Sequence, residues 1–288
     1  MHFSLPFFKP TPESLVRKLE DLPPAPTFLL KLRRLVGAPG TDLTEIADVI
    51  MIEPGLSGSV VRMANSSFFG RGTPVGTIVE AIQVVGMQGV QEIVTHAIAS
   101  KLIGQPLALY GLSAQELWSR ALACAVAAGS LAEEAGADRV DAYTAGLMHG
   151  LGLLAMDRYA ARQKSSLRMP SSGYPLDFAP AEREWLGFSH AEAGAAVLEL
   201  WGFPESIQAA VRFQLEPERA EEHRQLSMIL ATARWARSFF CVSDEKIPEL
   251  PTEGWLQEAG IEIGDFGDWL RRIRIRISVA NTELKLGA

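Results

Sequence analysis

Apolar residues recur at intervals of three and four along most of the chain, which is the spacing of one face of an α-helix. The stripe from Leu117 through Ala121, Cys124 and Ala128 to Leu131 is a clear example. Several stripes are preceded by Ser, Thr or Asp with Glu three residues later, the capping-box signature of a helix start. These pairs are Asp42 and Glu45, Thr77 and Glu80, Ser113 and Glu116, and Ser189 and Glu192. With no convincing strand pattern, the sequence predicts an all-α fold.

The segment Asp141–Asp157 predicts a buried central helix. Between its two aspartates lie fifteen residues without Lys, Arg, Asp or Glu, and His149 is near their middle. A helix that is apolar nearly all round is a buried one. Gly146, Gly150 and Gly152 each cost about 1 kcal/mol relative to Ala in a helix, so they predict close approach of another backbone. We interpret His149 as neutral and hydrogen-bonded to a backbone carbonyl or a water.

The two ends of the chain differ from the middle. Residues 1–12 contain three prolines and predict a loose arm. In Arg271–Ile277 the alternation of Arg and Ile fits the period of a strand, whereas Leu270, Ile273 and Ile277 fit a helix. Because no partner strand is evident, we predict a helix for this segment.

Composition narrows the class of protein. The chain has 288 residues, of which 48% are hydrophobic and 21% charged, as is ordinary for a soluble globular protein. A net charge of −7 argues against broad binding to nucleic acid, which depends on neutralising phosphates. Cys124 and Cys241 make no disulfide framework and indicate a reducing compartment. No apolar run reaches the roughly 20 residues of a membrane span, and no signal peptide is evident, so we expect a cytoplasmic protein.

Seven segments, in the same order along the chain, resemble the HDOD family, a regulatory relative of the HD-domain metal-dependent phosphohydrolases. Together they cover about residues 20–235. The matching segments are 22–26 (LPPAP), 46–47 (IA) with 53–56 (EPGL), 63–70 (MANSSFFG), 81–86 (AIQVVG), 117–118 (LW), 145–152 (AGLMHGLG) and 189–194 (SHAEAG). No single segment is decisive, but this many in register make a strong match.

The resemblance implies an all-α fold in which a bundle of short helices precedes an HD-like helical core. On this basis residues 1–12 are the arm, 13–108 the N-terminal helical subdomain, 109–240 the HD-like core and 241–288 a C-terminal helical extension. The resemblance also implies signalling in bacteria, often downstream of two-component or cyclic-nucleotide pathways.

In HD enzymes, histidines and an adjacent His-Asp pair hold one or two divalent metals. A catalytic metal needs about three protein ligands and an open position. By resemblance, the His-Asp pair is His149 followed by Gly150, and glycine offers no ligand. The remaining ligand positions, apart from His190, carry other residues. They are Arg120, Phe213 with Gln214, and Arg234.

Only His149 and His190 of the ligand set survive, so we interpret them as a vestigial metal pocket with no bound metal, no cofactor and no catalytic residue. If Arg120 and Arg234 approach this pocket, fixed guanidinium charge has replaced a cation, which suits a bound phosphate, a carboxylate or an acidic partner. The alternative for each arginine is a salt bridge with a nearby glutamate.

Two further segments have a structural and a functional interpretation. The turn containing Asn65, Ser66 and Phe68 is either a recognition loop or a turn that fixes two aromatic rings in the core. The arginines of Arg271–Ile277 either contact an acidic partner or nucleic acid, or form a solvated face. Sequence alone leaves both open, with the structural interpretation favoured in each case.

The function we expect is a non-catalytic signal-transduction module that acts through protein–protein interaction. Its partner would be a signalling protein, with no membrane and no nucleic acid involved, and the oligomeric state is open. One alternative is a metal-dependent phosphohydrolase acting on a nucleotide or cyclic dinucleotide. Another is a sensor that holds a small anionic ligand in the former active-site pocket.

Overall fold

The predicted apolar stripes form helices throughout the computed structural model, which describes residues 9–20, 22–164, 166–170, 177–240 and 250–284. The α-helices are α1 (Pro12–Arg17), α2 (Thr27–Gly37), α3 (Leu43–Met51), α4 (Pro54–Ala64), α5 (Ile78–Leu102), α6 (Ala114–Glu134), α7 (Arg139–Met148), α8 (Leu151–Arg162), α9 (Ala179–Leu186), α10 (His190–Trp201), α11 (Glu205–Arg212), α12 (Arg224–Phe240), α13 (Glu253–Ala259) and α14 (Ile263–Glu283). Within the described ranges no strand forms, and Leu107 and Leu112 make an isolated antiparallel bridge. The all-α prediction is confirmed.

Local capping explains where several helices begin. Reciprocal capping boxes form at the starts of α5, α6 and α10, at Thr77, Ser113 and Ser189 respectively. The fourth predicted box is wrong, because the Asp42 carboxylate accepts the Thr44 backbone N–H at 3.2 Å and thereby caps α3 by itself. Each cap satisfies backbone donors that would otherwise have no partner at a helix start.

The central segment is buried as predicted, but it is two helices rather than one. α7 ends at Met148 and α8 begins at Leu151. At the junction, Gly150 leaves helical geometry with φ −89° and ψ 0°. The Gly146 carbonyl, which would accept the Gly150 N–H in a continuous helix, receives the His149 ring at 2.6 Å. The imidazole of His149 therefore hydrogen-bonds to a carbonyl at the C-terminal end of α7, where the helix breaks.

Two of the three glycines in this segment lie against another backbone, as predicted. A Cβ added to Gly146 would be 2.4 Å from Ala125 Cα in α6, and one added to Gly152 would be 1.8 Å from the His190 carbonyl oxygen in α10. For Gly150 the prediction is wrong, since the nearest atom is a leucine side-chain carbon at 3.5 Å. The first two glycines thus set how closely α7 and α8 pack on their neighbours.

Ion pairs connect the N-terminal helices to this core. Arg33 of α2 pairs with Asp141 of α7, whose other oxygen accepts the Ser206 hydroxyl at 2.9 Å. Arg139 of α7 donates to the Glu92 carboxylate of α5 at 2.6 Å, and only 2% of that glutamate side chain is exposed. The helices before and after residue 108 are therefore joined by charge as well as by apolar packing. The subdomain boundaries themselves stay predictions.

The segment Arg271–Ile277 lies inside α14, so the helix prediction is confirmed. Its buried residues Ile273 and Ile277 belong to the core, and α14 packs against α6. Beyond the helix, the Leu284 carbonyl accepts the Trp118 indole N–H at 2.9 Å. No helix in the described ranges combines the length and apolar character needed to cross a membrane. Residues 1–8 of the predicted arm and Cys241 lie outside the described residues.

We expect Gly152→Ala to destabilise the fold by about 2–3 kcal/mol, because the added methyl group meets the His190 carbonyl rather than a movable side chain. Gly150→Ala is the matched control two residues away, with only ordinary contacts at 3.5 Å. Urea denaturation followed by circular dichroism measures both variants. Equal stability of the two would contradict the packing described for α8 and α10.

Candidate functional site

His149 lies at the α7–α8 junction with 6% of its surface exposed. Because a carbonyl oxygen can only accept, His149 Nδ1 carries the proton and donates to Gly146 O at 2.6 Å. The opposite ring nitrogen, Nε2, therefore has a lone pair, and it accepts from Arg237 Nη1 at 3.3 Å. Burial, followed by the Arg237 and Arg234 charges, holds the pKa of His149 well below its usual value. The histidine is buried and bonded to a carbonyl, as predicted, and the direction of its pKa shift favours the neutral form.

Arg237 is a site residue that our interpretation of the sequence missed. It is on α12 with 7% of its surface exposed, and it also donates to Ser238 Oγ at 3.5 Å. Its signal in the sequence is weak, since it consists only of a second arginine three positions after Arg234 in a largely apolar helix. Spacing of three places both arginines on one side of α12.

Arg234, one of the two predicted arginines, contacts the same pocket indirectly. Its Nη1 donates to the Gln214 carbonyl at 2.7 Å, and Gln214 Nε2 donates to the His149 carbonyl at 3.1 Å. Two buried atoms here, Arg234 Nε and Gln214 Oε1, have no hydrogen-bond partner in the described part of the chain. Burial lowers the pKa of Arg234.

Arg120, the other predicted arginine, is half-buried on α6. Its charge lowers the pKa of Glu116, one turn earlier, after the larger effect of the hydrogen bonds from Ser113. Across the described ranges, no hydrogen bond or ion pair joins Arg120 to His149 or His190. The structure thus connects Arg234, and not Arg120, to the pocket residues.

His190 is the first residue of α10, as predicted, and it is held by a buried carboxylate. One oxygen of Glu182 accepts both the His190 backbone N–H at 2.7 Å and its Nδ1 at 2.8 Å. The other oxygen accepts the Tyr110 hydroxyl at 2.8 Å. Glu182 is fully buried, and although burial alone raises its pKa, the larger combined effect of His190 and Tyr110 lowers it. Glu182 was also missed from sequence.

These groups do not fit a divalent cation. His149 directs its free lone pair at a guanidinium, and both oxygens of Glu182 are already hydrogen-bonded. Gly150 has no side-chain atom that could bind a cation. In the described part of the chain, one set of three potential ligands lies close enough to share an ion, formed by Glu205, Glu222 and His223 on the exposed surface. Metal-assisted hydrolysis needs about three protein ligands and an open position, and within this set His149 already directs its lone pair at Arg237.

The turn proposed as a recognition loop is held by its own side chains. Asn65 exchanges two hydrogen bonds with the Val75 backbone, each 2.8 Å long. The Ser66 hydroxyl donates to the Met63 carbonyl at 2.7 Å. Phe68 is half-buried, and its backbone N–H donates to the Glu283 carboxylate of α14 at 3.2 Å. Asn65 and Ser66 therefore stabilise the turn. The Phe68 ring packs partly against the core and meets the Phe69 ring edge to face, with 4.8 Å between the centroids.

The fold and the pocket together define an all-helical, HD-like protein. The profile of the HDOD domain matches residues 22–217, and the chain belongs to the HDOD domain family. An HDOD domain protein of unknown function from Geobacter sulfurreducens superposes with a TM-score of 0.73 at 20% identity, covering 95% of this chain and 98% of that one. A protein from Shewanella amazonensis SB2B, provisionally named a phosphohydrolase, gives a TM-score of 0.67 at 24% identity, covering 94% and 97%.

A curated relative, an uncharacterised protein from Treponema pallidum (strain Nichols), is 26% identical over 231 residues. The match covers 78% of this chain but only 44% of the relative. These identities support a shared fold, and the family assignment rests on the HDOD profile.

We expect the stability to fall as the pH drops from about 6.5 to 5, because buried neutral histidines resist protonation. Burial lowers the pKa of His96 to about 3, and that of His149 is also far below the unfolded value of about 6.5. Below that value the unfolded chain binds more protons, so each histidine contributes a loss of up to about 1.4 kcal/mol per pH unit.

The contribution of His149 is isolated by comparing wild type with His149→Gln in urea denaturation at pH 7, 6 and 5. The variant should show a shallower loss of stability over this range, by up to about 1.4 kcal/mol per pH unit. Equal slopes for the two proteins would mean that His149 takes up its proton as readily in the folded state as in the unfolded chain.

Proposed function

We propose that this protein is a non-catalytic regulatory module of the HDOD type that acts by binding another signalling protein. The observation that carries the proposal is the hydrogen bond from Arg237 to His149 Nε2 at 3.3 Å. In an HD-type metal centre, a histidine offers such a lone pair to the cation. A metal on Nε2 and a guanidinium donating to Nε2 exclude each other.

Electrostatics supports the same conclusion. A divalent cation about 4 Å from a guanidinium is repelled by about 8 kcal/mol at an effective dielectric constant of about 20. Arg234 adds a second positive charge, since both arginines act on His149. The carboxylate that an HD enzyme supplies after its histidine is replaced by Gly150, so nothing at that position offsets the repulsion.

Hydrolysis would in addition require an activated water. Two of the groups able to accept a proton nearby are already engaged, and one of them is Glu182, which accepts from His190 and Tyr110. His149 Nε2 accepts from Arg237. We infer that the pocket is a charged, structural part of the fold and that the module acts by recognising a partner.

Metal content and turnover test the non-catalytic part of the proposal. The purified chain is incubated with Mn²⁺, Fe²⁺ or Zn²⁺, dialysed, analysed by mass spectrometry for metals, and assayed with bis(p-nitrophenyl) phosphate. We expect no stoichiometric metal and no metal-dependent turnover, with His149→Ala behaving like wild type. Bound metal together with turnover that disappears in His149→Ala would establish the competing phosphohydrolase function.

The partner is tested by affinity capture from the lysate of the native host, with the tagged 288-residue chain as bait. We expect one signalling protein to be retained near one-to-one stoichiometry, equally with and without EDTA, because no metal takes part. His149→Ala serves as a matched bait that lacks the central imidazole. Failure to retain any protein at this ratio, or loss of retention in EDTA, would contradict the proposal.

A further inference from the structure

Two segments singled out from sequence, the turn around Phe68 and the arginine-rich part of α14, meet at one cavity. It has a volume of about 640 Å³ and lies between this turn, α5, the α6–α7 connection and α14. Sites for small molecules usually have volumes of about 300–1,000 Å³. The residues that line it include Phe68, Arg71, Val85, Glu92, Arg139 and Arg276.

A kink in α5 shapes one wall of the cavity. Gly86 has φ 77° and ψ 167°, a conformation that favours glycine and interrupts the helix. Val85 and Gly89, on either side of the kink, both line the cavity. Because the kink is built into the backbone, this wall is preformed rather than created by a side-chain movement.

Most of the charges around the cavity are already paired. Arg139 donates to both oxygens of Glu92, at 2.6 and 3.1 Å, and to Glu133 at 2.8 Å. Asp138 accepts the Asp141 backbone N–H at 2.8 Å as the cap of α7. The acidic groups of this wall are therefore occupied by their own neighbours.

Arg276 differs from Arg271 and Arg272 of its segment in having no acidic partner among the described residues, and from Arg274 in being half-buried. Arg271 pairs with Asp268, and Arg272 pairs with Glu134 at 2.9 Å. Arg276 is half-buried and lines the cavity, and it has no hydrogen bond or ion pair to any side chain in the described ranges. Burial and the nearby Arg139 lower the pKa of Arg276 by more than Glu133, Glu92 and Glu134 raise it.

We propose that this cavity binds a small anionic ligand that carries a planar ring. The guanidinium of Arg276 binds its phosphate or carboxylate, and Phe68 contacts the ring. Guanidinium groups match the geometry of phosphate and carboxylate with two parallel hydrogen bonds. Phe68 is positioned for this role because its own backbone is bound to Glu283, on the same helix as Arg276. The proposal is independent of the pocket around His149 and of the signalling function.

Isothermal titration calorimetry of the full chain tests the proposal with guanosine monophosphate and adenosine monophosphate as probes. We expect one nucleotide per chain, bound more tightly than inorganic phosphate or guanosine. Arg276→Gln should weaken nucleotide binding by about tenfold or more, because a charge-assisted pair is lost. Phe68→Leu should weaken it less. Arg274→Gln is the matched control, since Arg274 is exposed on the same helix.

Thermal unfolding without ligand separates binding from a structural role. Since Arg276 has no partner to lose, Arg276→Gln should unfold at the same temperature as wild type or higher. A lower unfolding temperature would assign Arg276 to the fold and overturn the proposal. So would the absence of nucleotide binding to wild type, equal binding of guanosine and its monophosphate, or binding lost in Arg234→Gln but kept in Arg276→Gln.

Discussion

The pocket depends on two close backbone contacts that α7 and α8 make with neighbouring helices. Both contacts occur at glycines, where there is no side chain to keep the backbones apart. Gly146 lets α7 lie against the backbone of α6 at Ala125, and Gly152 lets α8 lie against the His190 carbonyl of α10. His149 is three residues from each of these glycines. Since interiors are close-packed and resist shifts of even one methyl group, these two contacts fix both histidines in relation to each other.

In the function that we propose, the Arg237 guanidinium lies beside His149 where an HD enzyme would hold a metal ion. A metal ion can be lost, exchanged or polarise a bound water, whereas the Arg237 guanidinium is covalently part of α12 and only donates hydrogen bonds. A guanidinium at this position places a positive charge beside His149 but has no Lewis acidity. Glu182 provides the compensating negative charge on the other side, where His190 holds it.

The helices could be predicted from sequence because their causes are local. Apolar spacing and the capping boxes at Thr77, Ser113 and Ser189 act within a few residues. The break after His149 could not, because it depends on a ring nitrogen that binds a carbonyl of its own helix end. Arg237 was missed for another reason, since its contact with His149 spans 88 residues and nothing in the spacing encodes it. Spacing alone was not sufficient to predict a capping box either, since Asp42 caps α3 without a reciprocal bond from Glu45.

The end of α14 contacts two parts of the chain that are far from it in sequence. Glu283 binds the turn at Ser67 and Phe68, and just beyond it the Leu284 carbonyl receives the Trp118 indole from α6. Segments separated by more than 160 positions are thereby fastened to one short stretch of chain. Unwinding the C-terminal end of α14 would consequently break contacts with an early turn and with the central core. The end of α14 thus links the turn at Phe68 to α6.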